Sequence, residues 1–177
     1  MIKVLTLCLF LLSGCASSQQ EMINLPHSKN AWQIKDSNDV PDPDRISRSI
    51  VIFHRMWKEK FGDRRGQVKE SLDNLMIEWS TEEKVLLNAG RDNQGRLVKR
   101  GRAKGMTLGP TYIWLRTTQY KRVFATSLIH ELVHVALWAQ ECKGGDPDHE
   151  GDKYVCWTKE HTKFIVYLNK ILAKLDI

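Results

Sequence analysis

Phe124–Gln140 reads FATSLIHELVHVALWAQ, and this stretch decides both the fold and the chemistry. Leu128, Ile129, Leu132, Val133, Val135, Ala136, Leu137 and Trp138 leave it apolar on nearly every side, which predicts a buried helix. At its centre stands His130-Glu131-Leu132-Val133-His134, an H-E-x-x-H pattern. Residues four apart lie one above the other on a helix face, so His130 and His134 can aim their ring nitrogens at one point. Glu131 stands one position round, within reach of a water held at that point. Two imidazoles and a carboxylate in such a helix suffer desolvation unless something compensates them. Zn2+ is the simplest partner, and the spacing is that of a hydrolytic zinc site with Glu131 as general base. The competing reading is a pair of packed or solvated structural histidines. The same polar residues argue against a membrane span.

Upstream of this helix, Gly109-Pro110 introduces Thr111–Arg116, where Tyr112, Trp114 and Arg116 alternate with Ile113 and Leu115 as in a strand. That strand is either an ordinary member of a sheet or the lip along which an extended peptide adds as a further strand. Arg91–Lys104 sets Arg91, Arg96, Lys99, Arg100, Arg102 and Lys104 against the single acid Asp92, around an Asn93-Gln94-Gly95 turn. It reads as an exposed basic hairpin, solvated or binding an anionic partner. Val85 and Leu87 fit a short strand, and Gly66–Ser80 fits a helical beginning followed by a strand near Asn74–Trp79. Ile46, Ile50, Phe53, Trp57 and Phe61 form a helical stripe that Asp44 can cap and Gly62 can stop. His54 lies beside that stripe as a packed or solvated residue. Downstream, Lys143–Asp148 is a loop. A last helix runs from about Thr158 to Leu175, with Phe164, Leu168, Ile171, Leu172 and Leu175 on one face. The class is α+β, a small antiparallel sheet packed with about three helices.

A catalytic zinc usually takes three protein ligands and leaves one position for water. Beyond His130 and His134 the candidates are His149, Glu150, Asp152, Glu160 and His161. His161 opens the last helix, and rigid mounting favours it as the third ligand. His149, in a Gly/Asp/Pro loop, is the alternative, and a carboxylate remains open. His149, Tyr154 and Tyr167 are candidates to donate to a developing oxyanion.

Met1-Ile2-Lys3 followed by Val4–Leu12 makes a positive start and an apolar run too short to span a bilayer. Its end, Leu12-Ser13-Gly14-Cys15, resembles the lipobox of bacterial lipoproteins. That resemblance implies a signal peptide over residues 1–14 and a lipid on the Cys15 sulfur, with the Cys15 amine acylated. Ala16 in place of Asp then implies outer-membrane sorting, and the expected location is the cell envelope. Residues 15–44, rich in Ser, Gln, Asn, Asp and Pro, read as a tether kept extended by Pro41-Asp42-Pro43. The domain proper is expected over residues 45–177. With Cys8 removed and Cys15 lipidated, Cys142 and Cys156 remain as an even pair where disulfides persist. A bridge between them is the preferred reading; free thiols, or a second metal site with His149, are the others. The net charge of +6 falls by one when Lys3 leaves with the signal, and it permits attraction to an anionic envelope polymer or lipid. Nucleic acid is a poor expectation behind a lipobox.

From Asn74 to Leu172 the chain resembles the SprT-like zinc metallopeptidases. Ile-Trp-Leu at 113–115, His-Glu-Leu-Val-His at 130–134 and His-Thr-Lys-Phe at 161–164 stand in the family's order. The resemblance implies a zincin-like fold with the H-E-x-x-H pattern on the central helix. It also implies zinc held by His130, His134 and His161, and peptide hydrolysis with Glu131 as base. The aromatic residue follows His161 by three positions rather than the family's usual four, and the Cys142–Cys156 segment lengthens the gap between His134 and His161. Familiar relatives act inside cells around DNA, so the substrate does not carry over. Beside an envelope zinc peptidase, two other readings stay open. One is a zinc amidase or peptidase of the cell wall; the other is a non-catalytic lipoprotein whose metal site braces the fold.

Overall fold

Four α-helices and a mixed sheet form the described part of the computed structural model, which covers residues 21–24, 31–34, 42–80, 85–87, 100–116, 124–142, 145 and 156–177. Helix α1, Pro43–Phe61, begins at Asp42, whose side chain accepts the Asp44 N–H at 2.9 Å. The cap is therefore Asp42 rather than Asp44. Pro43 opens the helix instead of extending a tether, because the first helical position needs no N–H. Gly62, at φ 83°, ends it as expected. Ile46, Ile50, Phe53 and Trp57 are buried along the anticipated stripe.

A short 3-10 turn, Arg64–Gly66, leads into α2, Gln67–Asp73. Asp63 organises this corner. Its carboxylate accepts the N–H groups of Val68 at 2.9 Å and Lys69 at 3.2 Å, and His54 Nε2 donates to it at 2.8 Å. Burial pushes the Asp63 carboxyl up, but the His54 bond and the two backbone N–H groups outweigh it, and its pKa lies below the usual value.

Strands β1 (Glu21–Asn24), β2 (Ala31–Ile34), β3 (Met76–Ser80), β6 (Gly105–Gly109) and β7 (Tyr112–Arg116) form one sheet in the order β1-β2-β3-β7-β6. Strands β4 (Val85–Leu87) and β5 (Arg100–Arg102) pair separately and antiparallel. The main sheet is mixed, not antiparallel: β2, β3 and β7 run parallel, whereas β6 runs antiparallel to β7. The thirty-odd residues between β3 and β7 are long enough for the crossover that a parallel pair requires. Two strands of this sheet also lie inside the stretch read as tether, with Trp32 opposite Ile77 and Ile34 opposite Trp79. Strand β7, read as either an ordinary sheet member or a lip, is interior; among the described residues β6 is the strand at that end of the sheet.

Ile77 pairs with Ile113 and Trp79 with Leu115, and all four join the helix-side core. On the alternate positions the Tyr112 hydroxyl donates to the Glu78 carboxylate, next to fully buried Trp114. Burial, and then Glu78, push the Tyr112 phenol up to about 12.

Helix α3, Phe124–Ala139, packs on α1, α2, β6 and β7 and against α4, Lys159–Lys174. Leu128, Ile129, Leu132, Val133, Val135 and Ala136 are wholly buried, which answers the apolar pattern that surrounds His130 and His134. Phe164, Ile165, Leu168 and Leu172 are the buried face of α4, while Leu175 is exposed. No helix among the described residues is long and apolar enough to cross a membrane. Residues 1–20 with the expected signal and Cys15, and most of the basic segment 91–104, lie outside the described residues.

Candidate functional site

Helical spacing brings His130 and His134 together as anticipated. Their Nε2 atoms are 3.3 Å apart and their ring centroids 5.0 Å apart. Two ligands about 2.0–2.1 Å from a tetrahedral zinc are separated by about 3.3–3.4 Å, so the pair already spans one edge of such a site.

The protonation pattern of His134 fits the same use. Its Nδ1 lies 2.6 Å from the Gly145 carbonyl oxygen. A carbonyl only accepts, so Nδ1 carries the proton and the Nε2 lone pair faces His130. Outer partners of this kind orient metal-binding imidazoles.

Glu131 is 5 % exposed. The Thr107 hydroxyl on β6 reaches the Glu131 Oε2 at 2.8 Å and the Glu131 carbonyl oxygen at 3.2 Å. Gly105, two residues earlier on β6, passes so close that a Cβ there would stand 2.6 Å from Glu131 Oε1. The carboxylate is thus pinned between helix and strand rather than left to swing. Neither Thr107 nor Gly105 was marked by the sequence reading, since Gly105–Gly109 carries no strong strand pattern.

Trp157 completes the wall. It is buried, its ring centroid lies 5.1 Å from that of His130 and 4.8 Å from that of His134, and its indole N–H donates to the Thr162 hydroxyl. Beside it stands Cys156, joined to Cys142 by the expected disulfide.

His161 occupies the third position of α4, buried and stacked on Trp57 at 5.4 Å, with Phe61 at 4.4 Å. Its Nδ1 accepts the Thr158 N–H at 2.8 Å in a capping box. In the neutral ring the proton is then on Nε2, the opposite tautomer from His134. The Trp157 ring centroid lies 6.1 Å from that of His161. No three metal-ligating side chains converge among the described residues. Glu160 points elsewhere, paired at the surface with Lys163 and Lys60, which lower its carboxyl pKa. Tyr167 is exposed on the outside of α4. His149, Glu150, Asp152 and Tyr154 lie outside the described residues.

A comparison with known proteins finds no matching family model, no matching curated protein and no matching solved structure.

Proposed function

We propose that this chain is a zinc-dependent peptidase held at the cell envelope by a lipid on Cys15. The observation that carries the reading is the pair of Nε2 atoms 3.3 Å apart, with the Glu131 carboxylate fixed beside them by β6. His130 and His134 would hold the ion through Nε2, and His161 would supply the third protein donor, with His149 as the alternative. When bound, Zn2+ supplies Lewis acidity toward the scissile carbonyl and makes water acidic enough to attack near neutral pH.

The chain's own groups do the rest. Glu131 takes a proton from the attacking water and delivers it to the leaving amine. The Thr107 hydroxyl directs one carboxylate oxygen, and the wholly buried residues flanking the pair on α3 keep bulk water out from behind it. A peptide is the favoured substrate because β6, the last strand of the sheet among the described residues, runs past Glu131, where an extended chain can add as a further strand. The SprT-like order of motifs supports the same class.

The test is Glu131→Gln. The variant retains near-stoichiometric zinc and loses nearly all hydrolysis in a proteome-derived peptide screen. Full activity in that variant removes the general-base role. A wild-type protein that binds zinc with no turnover supports a bracing metal site instead, and release of muropeptides supports a cell-wall hydrolase.

A further inference from the structure

We propose that Gly145 and the Cys142–Cys156 disulfide form a clamp that presets the imidazole pair for a divalent cation; the inference rests on the zinc reading above. The clamp starts where α3 ends. The Cys142 N–H donates to Leu137 O at 3.0 Å, and the Gly145 N–H donates to Cys142 O at 2.8 Å. This tight turn folds the chain back until the Gly145 carbonyl meets His134 Nδ1 at 2.6 Å.

Only glycine fits there. Gly145 has φ +67°, and a Cβ would fall 2.3 Å from the His134 carbonyl oxygen, a backbone atom that cannot step aside. The disulfide then ties the start of this turn to Cys156, one residue before Trp157. Trp157 lies against both His130 and His134. One covalent link thus joins the acceptor that sets the His134 tautomer to the indole that packs on both rings. Gly145 and Trp157 are positioning residues: they act through the imidazoles.

The probe is zinc alone, titrated into the full chain against a chromophoric chelator. Gly145→Ala and the double variant Cys142→Ser/Cys156→Ser each bind zinc about 10–100-fold more weakly than wild type, the range for loss of an outer partner of a metal-bound histidine. In metal-free wild type, long-range 1H–15N spectra at alkaline pH show His134 protonated on Nδ1, and in Gly145→Ala that preference is lost. Circular dichroism checks that each variant is folded at the assay temperature. Should the double cysteine variant not fold, Gly145→Ala and the tautomer spectra decide. Folded variants with wild-type affinity and an unchanged His134 tautomer overturn the clamp alone. Wild-type protein that binds no zinc overturns the proposed function and the clamp with it.

Discussion

Gly105→Ala tests how tightly the base is placed. Gly105 carries no left-handed φ, so alanine is conformationally acceptable there and the whole effect is steric. The added Cβ would lie 2.6 Å from Glu131 Oε1, 2.8 Å from its Cγ and 2.9 Å from Leu115 Cδ2. Ordinary contact begins at 3.4 Å, so the carboxylate oxygen must retreat by the difference, ~0.8 Å. Leu115 is 1 % exposed and cannot yield far, and Thr107 tethers the other oxygen. Displacement of a catalytic group by about 1 Å costs on the order of 100-fold in rate. Overpacking a site of this kind costs about 1–3 kcal/mol of stability.

The expected outcome is a kcat ~100-fold lower with KM little changed, full zinc by metal analysis, and a Tm lower by several degrees. The zinc measurement separates displacement of the base from loss of the ion, since the three atoms nearest a Cβ at Gly105 belong to Glu131 and Leu115. A wild-type kcat in folded, zinc-loaded Gly105→Ala would refute the reasoning. Glu131 would then work from some other position, or not as the base.

Thr107→Val keeps the shape of Thr107 and removes the hydroxyl that meets Glu131 Oε2 at 2.8 Å. Hydrogen bonds to charged groups are worth about 1.5–3 kcal/mol, so kcat falls by roughly 10–100-fold, and Thr107→Ser restores it. His161→Ala weakens zinc retention more than His149→Ala; the reverse ranking moves the third donor into the loop. Asp63→Asn loses Tm at neutral pH through the Val68, Lys69 and His54 partners. Because the folded pKa of Asp63 is lowered from 3.8, its contribution is present above that value and fades as pH falls through the folded pKa. Thermal melts of wild type and variant should therefore converge in acid; a gap that persists there would refute the charge account.

Periodic features were legible in the chain. The stripe of α1, the apolar wrap of α3 and the buried face of α4 follow from spacing and residue type, and the pairing of Cys142 with Cys156 follows once the lipobox resemblance sets Cys8 and Cys15 aside. Class α+β was legible too, but not the mixed sheet. Strand direction depends on how the chain returns between β3 and β7, and alternation within a strand is the same whichever way its neighbour runs. Strand β6 was missed because GMTLG has two glycines in five residues and scant alternation. In the site, His130, Glu131 and His134 announce themselves by register on one helix. Gly105, Thr107, Gly145 and Trp157 do not, since each is defined by what it touches across the fold.

The two tautomers bear on how the third donor is recruited. His134 faces an acceptor, the Gly145 carbonyl, and so presents its Nε2 lone pair. His161 faces a donor, the Thr158 N–H, and so presents an N–H at Nε2. To ligate through Nε2, His161 must surrender its capping bond and part of its stacking on Trp57. A lost cap costs about 1 kcal/mol and a lost ring pair about 0.5–1.5 kcal/mol. Zinc bound in a complete donor set contributes apparent energies of about 10–16 kcal/mol. Even a modest share of that energy would offset the capping box, so the lack of three converged donors among the described residues is no barrier to His161. It carries a consequence instead: zinc that recruits His161 exposes the Thr158 amide, whose hydrogen exchange speeds up on metal binding, whereas zinc that takes its third donor from the loop leaves that amide protected.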